Sequence, residues 1–236
     1  AKFLNRAILK PASKFGFDTD FCTCRRFIQL AKRELITTIS QPTLWRNLRA
    51  TGLTYQKPEK RYLQASKKDK EEWIKGTLPE IRAAVARFKA ILYFQDEASI
   101  ALAPVLARTW APKGKTPIQA VTGKRGSVSA MSAISNVGHL IFSLCEKRIA
   151  SKQVIKFLEQ MLRHHPRRHL VVVMDQASPH VSKVTKAFVA SQKRLHVFYL
   201  PPYSPEFNAD EKVWSHLKHQ ELQGHQAMDK KGLKKT

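Results

Sequence analysis

Hydrophobic positions divide the chain into a helical first part and a later part that alternates strands with helices. Residues 25–36 place their apolar side chains at helical spacing. Ser40-Gln41-Pro42-Thr43 then supplies the capping serine and early proline of a second helix, which is predicted to end before Gly52. Two short helices joined by a tight turn indicate a helix-turn-helix, and an ordinary helical hairpin is the alternative.

The region after residue 90 begins with strands. The apolar run over residues 91–94 is followed by Gln95-Asp96-Glu97, which predicts a short buried strand that ends there. Residues 127–134 and 139–145 flank Gly138 and predict a β-hairpin. Residues 151–164 carry apolar side chains at helical spacing, so a helix is expected after the hairpin.

The last third of the chain predicts the parallel half of a sheet. Residues 170–174 form a continuous apolar run rich in valine, which is typical of a central parallel strand. A helix over 181–191, a strand over 196–200, a proline-rich turn over 201–205 and a helix over 208–222 are expected next. A hairpin joined to parallel β-α-β units predicts an α/β fold, a ribonuclease H-like mixed sheet with flanking helices.

Composition and pattern together predict four segments. A helical helix-turn-helix segment, 1–56, precedes a basic linker and helix, 57–90, in which Pro79 is a candidate break. The ribonuclease H-like domain is expected over 91–222, and a basic tail over 223–236. The chain begins at Ala1 rather than at methionine, which is a hint that some preceding sequence is missing, and a processed start is the alternative.

The charge balance points to a polyanionic partner. Forty-two Lys and Arg against 18 Asp and Glu give a net charge of +24. A compact protein with that charge repels itself unless an anion is near, and nucleic acid is the commonest such partner. A ribosome-associated or merely basic protein is the alternative. We expect double-stranded DNA as the partner.

Cysteine content and hydropathy indicate the compartment. The three cysteines, at positions 22, 24 and 145, form neither a disulfide framework nor a zinc-binding pattern. No apolar run reaches the length of a membrane span, and the start of the chain lacks a signal-peptide pattern. We therefore expect a cytoplasmic, nucleoid-associated protein without a membrane partner.

Three carboxylates occupy positions suited to chemistry. Asp96 and Asp175 follow the first strand and the valine-rich strand, and Glu211 lies on the last long helix. Ends of neighbouring parallel strands open into one crevice, and a helix across that edge adds a third carboxylate. Such clusters suit Mg²⁺ or Mn²⁺, and two ions support phosphoryl transfer. The alternative is that the aspartates form turns or caps and Glu211 is a solvated helix acid.

Four segments resemble successive signatures of mariner-superfamily transposases, of the bacterial insertion-sequence branch. They are Tyr93-Phe94-Gln95-Asp96-Glu97, Trp110-Ala111-Pro112-Lys113-Gly114, residues 173–180 (VMDQASPH) and residues 200–214 (LPPYSPEFNADEKVW). They occur in order over about residues 91–222, and 35 residues separate Asp175 from Glu211. The stretch from Thr43 to Tyr55 resembles the second helix-turn-helix of the same family.

The resemblance implies a D,D,E-type enzyme that uses Mg²⁺, with Mn²⁺ as substitute, to cleave transposon ends and transfer strands into target DNA. Asp96, Asp175 and Glu211 would be its catalytic and metal-binding residues, holding two ions. It also implies inverted-repeat ends as substrate and a homodimer assembled on DNA.

DNA contacts are expected outside the carboxylates. On the second predicted helix, the residues expected to contact DNA are Arg46, Asn47 and Arg49. Trp110 and Lys113 lie in a loop that, by the resemblance, touches DNA ends or a partner, and a packed core tryptophan is the alternative. His180 matches the family's histidine after the second aspartate, and could touch phosphate or orient a carboxylate; a polar residue at a helix start is the alternative.

The chain departs from the family pattern beside the predicted site. Gln176 stands where the family usually has asparagine, and Ala209-Asp210 stands where it usually has proline and an apolar residue. Glu206 and Asp210 are further acids close to Glu211. A catalytically inert or domesticated transposase remnant that only binds DNA is therefore the alternative function. A ribonuclease acting on RNA–DNA hybrids is a third hypothesis, which the DNA-reading first segment disfavours.

Overall fold

The computed structural model describes residues 7, 9–56, 65–145 and 148–236. The chain divides into two compact units, Ala1–Lys60 and Arg61–Thr236. Because part of the predicted linker, residues 57–64, lies outside the described residues, the prediction for it is not addressed by the structure. The division into four segments stays a prediction.

The first unit is built on two capped helices, α1 (Cys24–Leu35) and α2 (Gln41–Ala50). The Ser40 hydroxyl accepts a hydrogen bond from the Thr43 N–H, which satisfies one of the free donors at the start of α2. Leu30 and Leu44 are buried between the helices. Both predicted helices are present.

The second unit opens with α3 (Lys67–Lys75) and α4 (Thr77–Phe88). The chain breaks at Gly76 rather than at Pro79. Pro79 lies in the first turn of α4, where an N–H has no helical acceptor to lose, so the proline is tolerated.

A five-stranded mixed sheet forms the centre of this unit, in the order β3-β2-β1-β4-β5. The β1–β2 and β2–β3 pairs are antiparallel, and the β1–β4 and β4–β5 pairs are parallel. This topology confirms the predicted ribonuclease H-like sheet. The strands are β1 (Ile91–Ala101), β2 (Ser127–Ser135), β3 (Leu140–Cys145), β4 (Leu170–Met174) and β5 (Leu195–Tyr199).

Strand β1 is longer than its apolar run, which corrects the prediction that it ends before Gln95. Residues 95–101 continue the strand because β2 pairs with all of them, from Gln95 opposite Ala133 to Ala101 opposite Ser127. Asp96 therefore projects from within a strand and does not follow one.

Helices cover both faces of β4. Side chains that alternate along β4 pack on opposite sides: Val172 contacts the cluster that contains Phe157, and Val171 contacts the cluster that contains Trp73. Burial on both faces explains the continuous apolar run. The remaining helices are α5 (Ser151–His164), α6 (Ser178–Val181), α7 (Lys183–Ser191), α8 (Asp210–His216) and α9 (Lys230–Leu233).

Two predicted helices differ in detail. The helix expected over 181–191 is two helices, because the extended backbone at Ser182 ends α6 and its hydroxyl caps α7 by accepting from the Thr185 N–H. The helix expected over 208–222 begins at Asp210 and changes into a π-helical turn over Leu217–Glu221. Part of the tail also packs on the sheet, since Leu233 is buried against Val128.

Candidate active site

The three predicted carboxylates line one cleft of about 540 Å³ at the carboxyl edge of the parallel strands. Asp96 projects from β1, Asp175 follows β4 directly, and Glu211 lies in the first turn of α8. The turn over residues 200–205 forms another wall. Asp96 and Glu211, with 114 residues between them in the sequence, therefore share one cleft, as the strand order requires.

Asp96 is the carboxylate whose ionisation the site opposes most. Burial raises its pKa most, the hydrogen bond to the Glu97 backbone lowers it, and the negative charges of Glu211, Asp210 and Asp175 raise it further, to about 7 overall. A cation nearby would favour the ionised form of a carboxylate that lies among other acids. The carboxylate oxygens of this cleft are also the hard ligands that Mg²⁺ and Mn²⁺ prefer, so the residues fit a divalent cation.

The carboxylates are not yet arranged around an ion. Among the described residues, no three histidine, cysteine or acidic side chains stand together in a way that could hold a metal. Asp175 is held by its hydrogen bonds to His180 and Ala177, whereas Glu211 is exposed and its side chain can turn towards the half-buried Asp96. Cation binding would therefore need side-chain rotation.

His180 connects the cleft to a fourth acid. Its Nδ1 lies 2.6 Å from Asp175 Oδ1, and its Nε2 lies 3.0 Å from Glu97 Oε1. Burial by itself lowers the pKa of His180, but these two hydrogen-bonded carboxylates raise it to about 9. The imidazole is thus a buried cation at neutral pH.

The same contact keeps Asp175 ionised. Burial alone raises the pKa of Asp175, but the hydrogen bonds from His180 and from the Ala177 N–H lower it below its ordinary value. His180 is 1% exposed, so its predicted role as a DNA contact is corrected. The alternative role, orienting a carboxylate, matches the observed geometry.

Gln176, which departs from the family pattern, and Asn208, which matches it, both hold the backbone around the cleft. The Gln176 amide donates to the Leu200 carbonyl at 2.9 Å and thereby ties the end of β4 to the end of β5. Asn208 donates to the Gln95 carbonyl at 3.1 Å and accepts from the Asp210 N–H, which fixes the start of α8 against β1.

Asp210 does not compete with Glu211 for the cleft. Its side chain is fully buried and accepts a hydrogen bond from the Ser132 hydroxyl of β2, while its Oδ1 has no hydrogen-bond partner. Burial raises its pKa to about 6. Glu206, the other nearby acid, forms an ion pair with Lys70 at 2.6 Å and does not line the cleft.

Sequence reasoning missed Glu97 and Ser132. Glu97 bonds to a histidine 83 positions away, and Ser132 bonds to an aspartate 78 positions away. Neither has a local signal. Only the hairpin register, which places Ser132 opposite Asp96, could have drawn attention to the serine.

The other predicted DNA-binding side chains are accessible. Arg46, Asn47 and Arg49 are exposed on α2 of the first unit. In the second unit Trp110 is completely exposed and Lys113 is exposed in the loop between β1 and β2. Trp110 is therefore not a core residue.

Comparison with known proteins places this geometry in a family. Residues 91–234 match the DDE superfamily endonucleases, and residues 18–77 match the winged helix-turn-helix family. No curated protein matches the chain. Among the described helices, none is long and apolar enough to cross a membrane.

Solved structures share the fold. The Mos1 mariner paired-end complex with Mn aligns with a TM-score of 0.65 at 16% identity, over 92% of this chain and 65% of that one. The Mos1 transposase paired-end complex with left transposon end gives 0.64 at 14%, over 92% and 65%. The catalytic domain of Mos1 mariner transposase gives 0.52 at 12%, over 75% and 82%. The chain thus spans slightly less than two thirds of the two complexed Mos1 chains.

Proposed function

This chain belongs to the DDE superfamily of endonucleases, and on that premise we propose that it is a DNA transposase. It cleaves transposon ends and transfers the strands into target DNA, as a member of the bacterial insertion-sequence branch of the mariner superfamily. The observation that carries the proposal is the single cleft lined by Asp96, Asp175 and Glu211.

The carboxylates bind Mg²⁺, or Mn²⁺ as a substitute, and two ions fit the chemistry of the family. Bound cations would supply Lewis-acid stabilisation of the attacking and leaving oxygens in an in-line phosphodiester displacement. Asp96, whose pKa is raised to about 7, would hold such a cation in its ionised form. His180 keeps Asp175 charged and oriented for the same purpose.

The DNA is held at two places. Arg46, Asn47 and Arg49 on α2 contact the inverted-repeat ends, and Trp110 and Lys113 contact DNA or a second subunit from their loop. The net charge of +24 supports a double-stranded DNA partner. The Mos1 paired-end complexes that share this fold support a homodimer assembled on two DNA ends. The protein works in the cytoplasm, associated with the nucleoid.

Nicking of supercoiled plasmid tests the proposal without knowledge of the cognate ends. The full chain is incubated with plasmid in Mg²⁺, in Mn²⁺ and in EDTA. Asp175→Asn tests the cleft, and Glu206→Gln removes one acid of the neighbouring turn that does not line it. We expect cation-dependent nicking by the wild type and by Glu206→Gln, and none by Asp175→Asn.

Other outcomes lead to other conclusions. DNA binding without nicking in either cation would contradict the enzymatic proposal and favour the inert, DNA-binding remnant. Nicking that persists in Asp175→Asn would refute the assignment of the triad.

A further inference from the structure

The parallel strands of the second unit have a second edge, opposite the carboxylate cleft. Ile91, Leu170 and Leu195 lie side by side as the first residues of β1, β4 and β5. The three segments that precede them, residues 87–90, 163–169 and 192–194, therefore meet at one end of the sheet. We call this surface the basic edge.

Two arginines join these three segments. The Arg168 guanidinium donates to the Lys89 carbonyl at 2.9 Å. The Arg194 guanidinium donates to the His165 carbonyl at 2.7 Å and to the Arg168 carbonyl at 2.9 Å. These bonds satisfy loop carbonyls and hold the segments in a fixed arrangement, so the surface is built into the fold.

Aromatic stacking stiffens the same edge. The Phe88 ring stacks on His169 and on His196, with ring centroids 5.0 and 4.1 Å away. The two imidazoles are 3.1 Å apart, from Nδ1 of His169 to Nε2 of His196. The Arg87 guanidinium lies 5.1 Å over the Phe88 ring.

Most charges of the basic edge are uncompensated. Apart from Arg163, which forms an ion pair with Glu159 at 4.0 Å, its cations are Arg87, Lys89, Arg167, Arg168, Lys193 and Arg194, of which all but Arg194 are exposed. No aspartate or glutamate occurs in residues 81–95, 160–174 or 176–205. Within the described part of the chain, none of the six forms an ion pair with a carboxylate. A fixed cluster of cations without acids attracts a polyanion.

We propose that the basic edge binds the phosphate backbone of duplex DNA, in a segment separate from the one that reacts in the cleft. Strand β4 has five residues, which span about 16 Å at roughly 3.3 Å per residue. The basic edge therefore lies at the opposite end of the parallel strands from the carboxylate cleft, about one strand length away. Contacts from lysine and arginine to phosphate oxygens carry no sequence information, so we expect this binding to be independent of sequence.

Salt-dependent DNA binding by the full chain tests this site in EDTA, where no cleavage takes place. The edge variant carries Lys89→Gln, Arg167→Gln and Lys193→Gln, which removes three exposed cations and leaves the two joining guanidiniums in place. The control variant carries Lys152→Gln, Lys156→Gln and Lys186→Gln, three exposed cations of α5 and α7. Affinity for a random 40-base-pair duplex is measured by fluorescence anisotropy over a series of NaCl concentrations.

We expect the slope of log affinity against log salt to fall by about 2–3 in the edge variant, since each phosphate contact contributes about 0.9. The control slope should change by less than half as much. Equal slopes in the two variants would overturn the proposal. Because the assay requires no catalysis, its result does not depend on whether the plasmid-nicking test succeeds.

Lysine acetylation of the wild type provides a second test that needs no variant. Bound duplex should protect Lys89 and Lys193 from acetylation more strongly than Lys152, as measured by mass spectrometry. Equal protection of all three lysines would contradict a site at the basic edge.

Discussion

The buried His180 predicts a specific loss of stability when the pH rises. Its ring bonds to Asp175 on one side and to Glu97 on the other, and these partners raise its pKa from 6.5 to about 9 against the opposing effect of burial. A raised pKa means that the folded protein holds the proton more tightly than the unfolded chain. The histidine therefore stabilises the fold fully below pH 6.5, and this contribution disappears as the pH rises through 9.

The size of the effect follows from the shift. A change from 6.5 to about 9 corresponds, at about 1.36 kcal/mol per pKa unit, to about 3 kcal/mol. Asp175 has a lowered pKa, so its own contribution is present above its ordinary value of 3.8 and is lost only on acidification. Between pH 6 and pH 10 His180 loses its charge, whereas Asp96, with a pKa of about 7, titrates in the wild type and in a His180 variant alike.

Urea unfolding of the wild type and of His180→Gln at pH 6 and pH 10 measures this contribution, in EDTA because a cation would compete for Asp175. The wild type should be more stable than the variant at pH 6, and the difference in unfolding free energy should shrink by about 3 kcal/mol at pH 10. Groups that titrate equally in both proteins cancel in the comparison. A difference that stays constant between the two pH values would refute a protonated His180 between Asp175 and Glu97.

Three further predictions concern the fold. Asp210→Asn should raise the melting temperature at pH 8 by several degrees and leave it unchanged at pH 4, because burial raises the pKa of Asp210 to about 6 and its ionised form is destabilising. Calorimetry that finds no gain at pH 8 would contradict this. Phe157→Ala should cost about 3–5 kcal/mol in urea unfolding, whereas Phe142→Ala, at a side chain that is 60% exposed, should cost far less. Ser40→Ala should destabilise α2 by about 1 kcal/mol, measured as faster amide exchange in that helix, and unchanged exchange would refute the cap.

Helices and strands that depend on the pattern of nearby residues were predicted correctly from the sequence. The helix predicted over 151–164 and the strand predicted over 170–174 have those bounds in the structure. Both predictions depend only on residues that are close together in the sequence. The hairpin was also predicted, since Gly138 lies between two runs suited to strands. In the structure Gly138 adopts a positive φ of 85°. From these elements the order of the sheet follows by general rules of connection.

Contacts between distant parts of the chain limited the remaining predictions. The true length of β1 depends on pairing with β2, which no local pattern of Gln95-Asp96-Glu97 reveals. Burial of His180 likewise depends on Glu97, from another strand. The three carboxylates were predicted from their positions relative to the strands and from the resemblance. The hydrogen bonds of Glu97 to His180 and of Ser132 to Asp210 could be found only from the structure.

The central claim is that Asp96, Asp175 and Glu211 form one divalent-cation site. Electron paramagnetic resonance of free Mn²⁺ tests it directly, by comparing the wild type with Asp96→Asn/Asp175→Asn/Glu211→Gln in the presence of the same short duplex. We predict that the wild type removes Mn²⁺ from solution and that the triple variant does not remove it beyond the amount bound by DNA alone. Equal depletion of Mn²⁺ by the two proteins would contradict the account.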